Sequence, residues 1–329
     1  MQSRLRLFIC ATILTTMTAY AQVPITFDTD MGNDIDDGLC LVIACRATTM
    51  GDADLLMVGS SNPSEWAVPG MRAMLDYYGR KEVPLADCSQ NIAPGNDKFT
   101  KLVAKNAGLE PDPKTPDAVS LMRKILSEQE DGSVRIVTTG FSTNMGNLLE
   151  SKANHNGDGI DLSGPELINK KVEFLTLMAG DFERPEYTEY NVAQNVPAFK
   201  KVVEEWPTPV YLSGYEIGIV VFSRYEQIKE DLKPENPVRV AYEDYLGVGK
   251  KPAPWDRPSW DQTAMLFSIY PQKNYFDLVG PVTIKVGEKG ETIAHEEKEM
   301  EYPRYYLKFK EDLPKEKIEE ILAGWYREP

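Results

Sequence analysis

Short apolar runs rich in Val, Ile and Leu alternate along the chain with longer stretches whose apolar positions recur at helical spacing. Residues 23–28, 55–60, 134–139, 172–179 and 209–213 have strand length and are bounded by Gly, Asn or Asp. Residues 37–49, 66–78, 117–129, 145–152 and 198–206 lie between them and predict helices. That alternation builds βαβ units, so the expected fold is α/β: a mostly parallel central sheet with helices on both faces, of Rossmann-like type and in a single domain. In such sheets ligands sit at the carboxyl ends of the strands. Residues 152–165, rich in Gly and Asn, predict an exposed insertion, and the Pro-rich segment 232–258 a flap over the site. A last strand is expected at 302–308 and a helix at 314–325, while the charged run 288–301 predicts a solvated hairpin or helix face.

The ends and the charge narrow the class. Arg4 and Arg6, an apolar run, and Ala19-Tyr20-Ala21 form the pattern of an export signal cleaved after Ala21. The division expected is therefore a signal peptide at 1–21 and one catalytic domain at 22–329, secreted or periplasmic. The apolar run is shorter than the about 20 residues a membrane helix needs, and no later segment approaches that length. Removing the two arginines takes the net charge from −15 to −17. A chain this acidic, with no basic run, lacks the cations that nucleic-acid binding requires. Cys10 leaves with the signal; Cys40, Cys45 and Cys88 cannot all pair and are expected as core residues.

The sharpest chemical feature follows the first strand. Asp28, Asp30, Asp34, Asp36 and Asp37 place five carboxylates within ten residues, at a strand end and running into a helix. Gathered at neutral pH they repel and raise one another's pKa values, which a bound hard cation relieves. Asp36 and Asp37 also gain from the dipole at the helix start. The pattern is not an EF-hand, because no helix precedes it and no Glu closes a twelve-residue loop.

The motif Phe27-Asp28-Thr29-Asp30-Met31-Gly32-Asn33-Asp34-Ile35-Asp36-Asp37 resembles the DxDxxxDD signature of the inosine–uridine-preferring nucleoside hydrolase family. Further matches follow in that family's order: Ser61-Asn62, then Thr139-Gly140-Phe141-Ser142-Thr143-Asn144, Met178-Ala179-Gly180, Glu189-Tyr190-Asn191, and Ser259-Trp260-Asp261-Gln262-Thr263-Ala264. The resemblance implies a Ca²⁺-dependent enzyme that hydrolyses the N-glycosidic bond of a ribonucleoside or related ribosyl compound. By it, Asp30, Asp37, the Thr139 carbonyl and Asp261 would hold the ion, and Asp30 would take the proton from the attacking water. Asp36, Asn62, Glu189 and Asn191 would bind the ribose hydroxyls, with Asp28 and Asp34 supporting the metal site from behind. A homodimer or homotetramer is likewise implied. These residue types suit the reaction, since N-glycoside hydrolysis passes through an oxocarbenium-like cation that carboxylates stabilise. Direct attack by water needs no enzyme nucleophile and gives inversion at the anomeric carbon.

Three positions depart from the family pattern. Two extra residues separate Asp30 from Asp36-Asp37, so either Asp34 or Asp36 takes the inner role. Trp260 stands where the family often has a proton-donating His, and Asn195 where it often has an Asp. His155 and His295 are expected on the surface, which leaves a tyrosine from 187–190 or 242–245, or a chain of waters, to serve the leaving group. Trp260, Trp255 and Tyr242 are candidates for the base pocket, as alternatives to plain core packing. Two rival functions share some of these features. One is an inactive Ca²⁺-dependent nucleoside- or sugar-binding envelope protein. The other is a phosphohydrolase of the haloacid-dehalogenase type, in which Asp28-Thr29-Asp30 would supply an aspartyl nucleophile.

Overall fold

The computed structural model describes residues 22–88 and 93–327; the expected export signal lies outside them. Its strands are β1 (Val23–Thr29), β2 (Ala53–Ser60), β3 (Leu85–Ala86), β4 (Val134–Thr138), β5 (Val172–Met178), β6 (Val210–Ser213), β7 (Phe222–Ser223), β8 (Arg257–Pro258), β9 (Phe276–Val279), β10 (Val282–Val286), β11 (Thr292–Glu296) and β12 (Arg304–Phe309). Eight of them form one sheet in the order β3-β2-β1-β4-β5-β6-β12-β9. Every neighbouring pair in it is parallel except β12 with β9. The winding reverses between β1 and β4, so the crevice above their carboxyl ends is the place such a sheet offers a ligand.

Helices cover both faces, as the alternation predicts. On one, α1 (Asp36–Met50), α2 (Ala67–Tyr77), α11 (Pro237–Leu246), α12 (Trp260–Ile269) and α13 (Lys315–Tyr326) share a buried apolar cluster with β1 and β2. On the other, α4 (Ala118–Glu128), α5 (Thr143–Glu150), α6 (Gly164–Lys171) and α8 (Val196–Glu205) pack over β4, β5 and β6. Shorter helices α3 (Thr100–Asn106), α7 (Tyr190–Gln194), α9 (Tyr215–Gly218) and α10 (Tyr225–Asp231) connect these layers. The α1 run Gly38–Ala44 is buried on every side, which fits its lack of a polar stripe. No described helix is long and apolar enough to cross a membrane. Cys40, Cys45 and Cys88 are buried, in keeping with a core role.

Three loop expectations meet the structure differently. The run 288–301 contributes to a hairpin of β10 and β11, with Val282, Ile284 and Thr292 buried beneath it. Segment 232–258 is not a free flap, because α11 occupies its middle and packs against α2 and α3. Pro237 at the first helical position and the Asn236 cap explain how a Pro-rich stretch can start a helix. The insertion 152–165 is tethered rather than loose. Arg123, fully buried on α4, donates Nε to Asp158 (2.6 Å), Nη1 to Ser151 (3.0 Å) and Nη2 to the Leu162 carbonyl (2.9 Å). Removing one partner of a buried ion pair strands the other. Arg123→Ala is therefore expected to destabilise the fold by about 3–5 kcal/mol. Denaturant titration reads this directly, and turnover per folded molecule is expected to be unchanged; a loss under about 1 kcal/mol would mean the tether is idle.

Candidate active site

The carboxyl ends of β1, β4, β5 and β6 surround a cleft of about 270 Å³. Its floor and walls include Asp30, Asp36, Asp37, Thr139, Glu189, Asn191 and Asp261, and its rim carries Asp34, Lys98, Tyr190, Tyr215, Tyr245, Arg257 and Trp260. The acidic residues come from three places. Asp30 follows β1, Asp36 and Asp37 open α1, and Asp261 is in the first turn of α12. Crowding of these elements relies on Gly140 just past β4. A Cβ there would lie 2.5 Å from the Asp30 nitrogen, so only glycine lets the two strand ends meet.

Asp36, Asp37 and Asp261 each bring one oxygen within 4.8 Å of the others, and all three are buried. Two unit charges at that separation repel by about 3.5 kcal/mol at an effective dielectric of about 20. Burial raises all three pKa values, that of Asp37 to about 7, with the neighbouring aspartates adding to the shift. Asp30 is raised well above the usual range by burial and then by Asp37 and Asp36. The Asp30 Oδ2 atom is buried with no hydrogen-bond partner among the described residues. An all-oxygen cradle with an orphaned carboxylate oxygen suits a hard cation such as Ca²⁺ or Mg²⁺. Such an ion would offset the repulsion among the buried carboxylates.

Surrounding bonds orient the cradle. Asp37 accepts from the hydroxyls of Thr29 and Thr139, the latter at 3.2 Å. The Thr139 carbonyl accepts from Asn191 Nδ2 at 2.7 Å, and a carbonyl oxygen has a second lone pair for a further partner. Glu189 caps α7, accepting from the backbone of Asn191 (2.9 Å) and Val192 (3.1 Å), and burial lifts its pKa to about 7. Asn195 caps α8 by accepting from Ala198 and donates to Thr143 (2.9 Å), so it joins two helices rather than facing the cleft.

Several sequence expectations are rearranged by these contacts. Asp36, not Asp34, joins the buried trio, while Asp34 turns to Arg257 and accepts from both Nε (2.9 Å) and Nη2. Asn62 does not line the cleft. Its Nδ2 donates to the carbonyls of Met31 (2.9 Å) and Asn96 (2.6 Å), and its Oδ1 accepts from the backbone of Ser64 and Asn96. The amide nitrogen ties the turn after β1 to the Asn96 backbone and the oxygen fixes Ser64 and Asn96, so both ends of the side chain are already bonded within the protein. Tyr242 is fully buried, donating to the carbonyls of Ser223 and Trp255, and Trp255 packs edge-on against Tyr225. Neither lines the cleft: Tyr242 is a core residue, and Trp255 is a partly buried ring packed against the core.

Trp260 does line it. The indole nitrogen donates to the Tyr215 carbonyl (3.0 Å), and the ring sits tilted 5.5 Å from that of Tyr215. Gly218 permits this seat, since a Cβ there would come within 2.3 Å of the Trp260 Cα. Asp28 lies below the site, fully buried, accepting from Asn144 Nδ2 (2.6 Å) and the Thr138 hydroxyl (3.2 Å). It lies beneath the β1 end and outside the cleft lining, so it is not placed as the nucleophile a phosphohydrolase of the rival type would need. His155 and His295 stand outside the cleft. Lys98, Tyr215 and Arg257 also line the cleft, although none of them is part of the motifs above. Tyr190 and Tyr245 fall in the two flagged tyrosine regions.

Carboxylates gathered around a sugar-sized cleft, with aromatic rings at its rim, suit an enzyme that stabilises a glycosyl cation, and on this fold they define a hydrolase of N-ribosyl bonds. The chain belongs to the inosine-uridine preferring nucleoside hydrolase family, whose sequence model matches residues 25–316. Similar solved structures include a purine-preferring ribonucleoside hydrolase from Gardnerella vaginalis, with 17% identity, a TM-score of 0.69 and coverage of 92% of this chain and 99% of that one. Another is an inosine-uridine preferring nucleoside hydrolase from Bacillus anthracis, at 15% identity and a TM-score of 0.69, covering 93% and 99%. A plant nucleoside hydrolase matches at 13% identity and a TM-score of 0.68, again covering 93% and 99%. At these identities the likeness is one of fold. No curated protein matches the chain significantly.

Proposed function

We propose that the protein hydrolyses ribonucleosides with Ca²⁺ as its required ion, releasing free base and ribose. The observation that carries this reading is the orphaned, buried Asp30 Oδ2 beside the Asp36–Asp37–Asp261 trio in one cleft. Asp36, Asp37 and Asp261, with Asp30 and the Thr139 carbonyl, are the residues that would hold the ion. Bound there, it would lower the pKa of a water and supply charge stabilisation.

Each residue has a definite task in that reaction. Asp30, strongly raised in pKa when no cation is near, serves as the acceptor of the water's proton once the positive charge restores its ionised form. Glu189 and Asn191, fixed by the α7 cap, hold ribose hydroxyls and keep the sugar over the acids. The buried carboxylates then face the positive charge that grows on the sugar as the C–N bond lengthens. Trp260, Tyr215 and Tyr245 offer apolar surface to a planar base. Water attacks the anomeric carbon directly, so the released sugar has inverted configuration.

The test is to incubate the protein with purine and pyrimidine ribosides, with Ca²⁺ and with chelator, and to separate the products by chromatography. Free base appearing only with Ca²⁺ is the expected result. Tight nucleoside binding without any free base would replace this reading by that of a binding protein, and equal turnover with Mg²⁺ alone would overturn the choice of ion.

A further inference from the structure

Resting on the nucleoside-hydrolysing reading above, we propose that Arg257 is the leaving-group residue of this enzyme. In this role its guanidinium binds the acceptor edge of a 6-oxopurine and neutralises the negative charge that forms on the base. The position opposite the acids has no histidine, and the aromatic wall formed by Trp260 cannot supply a proton. Burial raises the phenol pKa values of Tyr190 and Tyr245 above their ordinary value, so both are poorer acids than a free tyrosine. Of the two cations at this rim, Lys98 is exposed and reaches Asn33 only at 3.4 Å, whereas Arg257 is held in place by the Asp34 carboxylate.

Its geometry is that of a prepared donor. Nε and Nη2 both donate to the Asp34 carboxylate, which fixes the plane of the group. The guanidinium carbon lies 5.4 Å from the Tyr245 ring centre and 5.3 Å from that of Trp260, so two aromatic faces bracket it. The side chain is 26% exposed, lines the cleft, and its Nη1 has no hydrogen-bond partner among the described residues. A guanidinium has five N–H bonds, and engaging one edge with Asp34 leaves a second edge with one N–H each on Nη1 and Nη2. Two parallel donors match two adjacent acceptors, the O6 and N7 of hypoxanthine or guanine, the pairing that arginine makes with guanine elsewhere. Adenine presents a donor at the same place and is disfavoured. The lengthened acidic motif gains a purpose here, since Asp34 within it is the anchor.

The step balances without a protein acid. As the C1′–N bond breaks, its electron pair passes to the base, where the Arg257 cation stabilises it. The water oxygen bonds to C1′ and its proton goes to Asp30, while the proton that finally neutralises the base comes from solvent. Arginine stays protonated throughout, as its high pKa demands.

The experiment compares inosine with 4-nitrophenyl riboside, whose leaving group needs no help, in wild-type protein and in Arg257→Gln. Loss of one such preorganised donor should lower kcat/KM for inosine by about 10²–10³-fold, while that for the nitrophenyl riboside falls less than about tenfold. Hypoxanthine affinity, followed by calorimetry, should weaken by at least about tenfold, as expected for a lost charged hydrogen bond. Equal losses on both substrates, or no loss on inosine, would overturn the role. Failure of the wild-type protein on both substrates would instead sink the nucleoside-hydrolysing reading, and the two failures are distinct. Retained nitrophenyl riboside turnover also certifies that Arg257→Gln is folded. Should it not fold, Arg257→Lys carries the same test, because its ammonium keeps the charge near Asp34 but lacks the second donor edge.

Discussion

Asp30→Asn is expected to lower kcat by about 10³-fold, the middle of the range that a positioned general base contributes, while the folded protein melts at the wild-type temperature or above it. The two halves of that result have different causes. Turnover falls because the amide cannot accept the water's proton at Oδ2, a buried oxygen with no hydrogen-bond partner among the described residues. Stability holds because the replaced carboxylate is buried and crowded by Asp37 and Asp36, so a neutral isostere removes repulsion instead of a favourable contact. Steady-state release of base and thermal melting in chelator measure the two separately. Turnover within about tenfold of wild type would take the base role away from Asp30, since the loss would fall below any general-base contribution.

The second large effect concerns the ion. Asp37→Ala and Asp261→Ala each delete one charged ligand from the buried trio. Calorimetry should show Ca²⁺ affinity falling more than about 100-fold, beyond the 10–100-fold commanded by an outer partner. Wild-type protein at a free ion concentration 100-fold above its Kd should gain about 2.7 kcal/mol, roughly a 5 °C rise in Tm for a chain of this size. Neither alanine variant should show that rise. Asp34→Asn is the informative contrast, because its carboxylate is committed to Arg257 and its loss should leave Ca²⁺ affinity within a few-fold of wild type. Unchanged affinity in both alanine variants, or a large loss in Asp34→Asn alone, would relocate the metal site.

These predictions separate residues that sit side by side in the sequence, and they show where sequence reading stops. Alternating apolar runs announced the strands and helices because burial on one or both faces leaves a local period in the residue types. The helix expected at 145–152 begins earlier, at Thr143, and the one expected at 198–206 begins at Val196 behind the Asn195 cap. End shifts of this size follow from caps and strand ends, which depend on neighbours more than on period. Density of acid at the β1 end was equally local, and so marked the site before any coordinate existed.

The sequence by itself determined the α/β class, the strands that carry the site, the family, and the acids Asp30, Asp37 and Asp261. Each rests on residue type at a fixed spacing, which the chain carries with it. Only the tertiary structure decided that Asp36 faces inward and Asp34 outward to Arg257, that Asn62 pins a turn, and that Tyr242 belongs to the core and Trp255 packs against that core while Trp260, Tyr215 and Tyr245 face the cleft. The physical reason is distance along the chain. Arg257 meets Asp34, and Asp261 meets Asp37, because the sheet winds outward from β1 in both directions and the later helix α12 returns across its face. A side chain's role at such a meeting depends on which partner satisfies it first, and no local pattern records that.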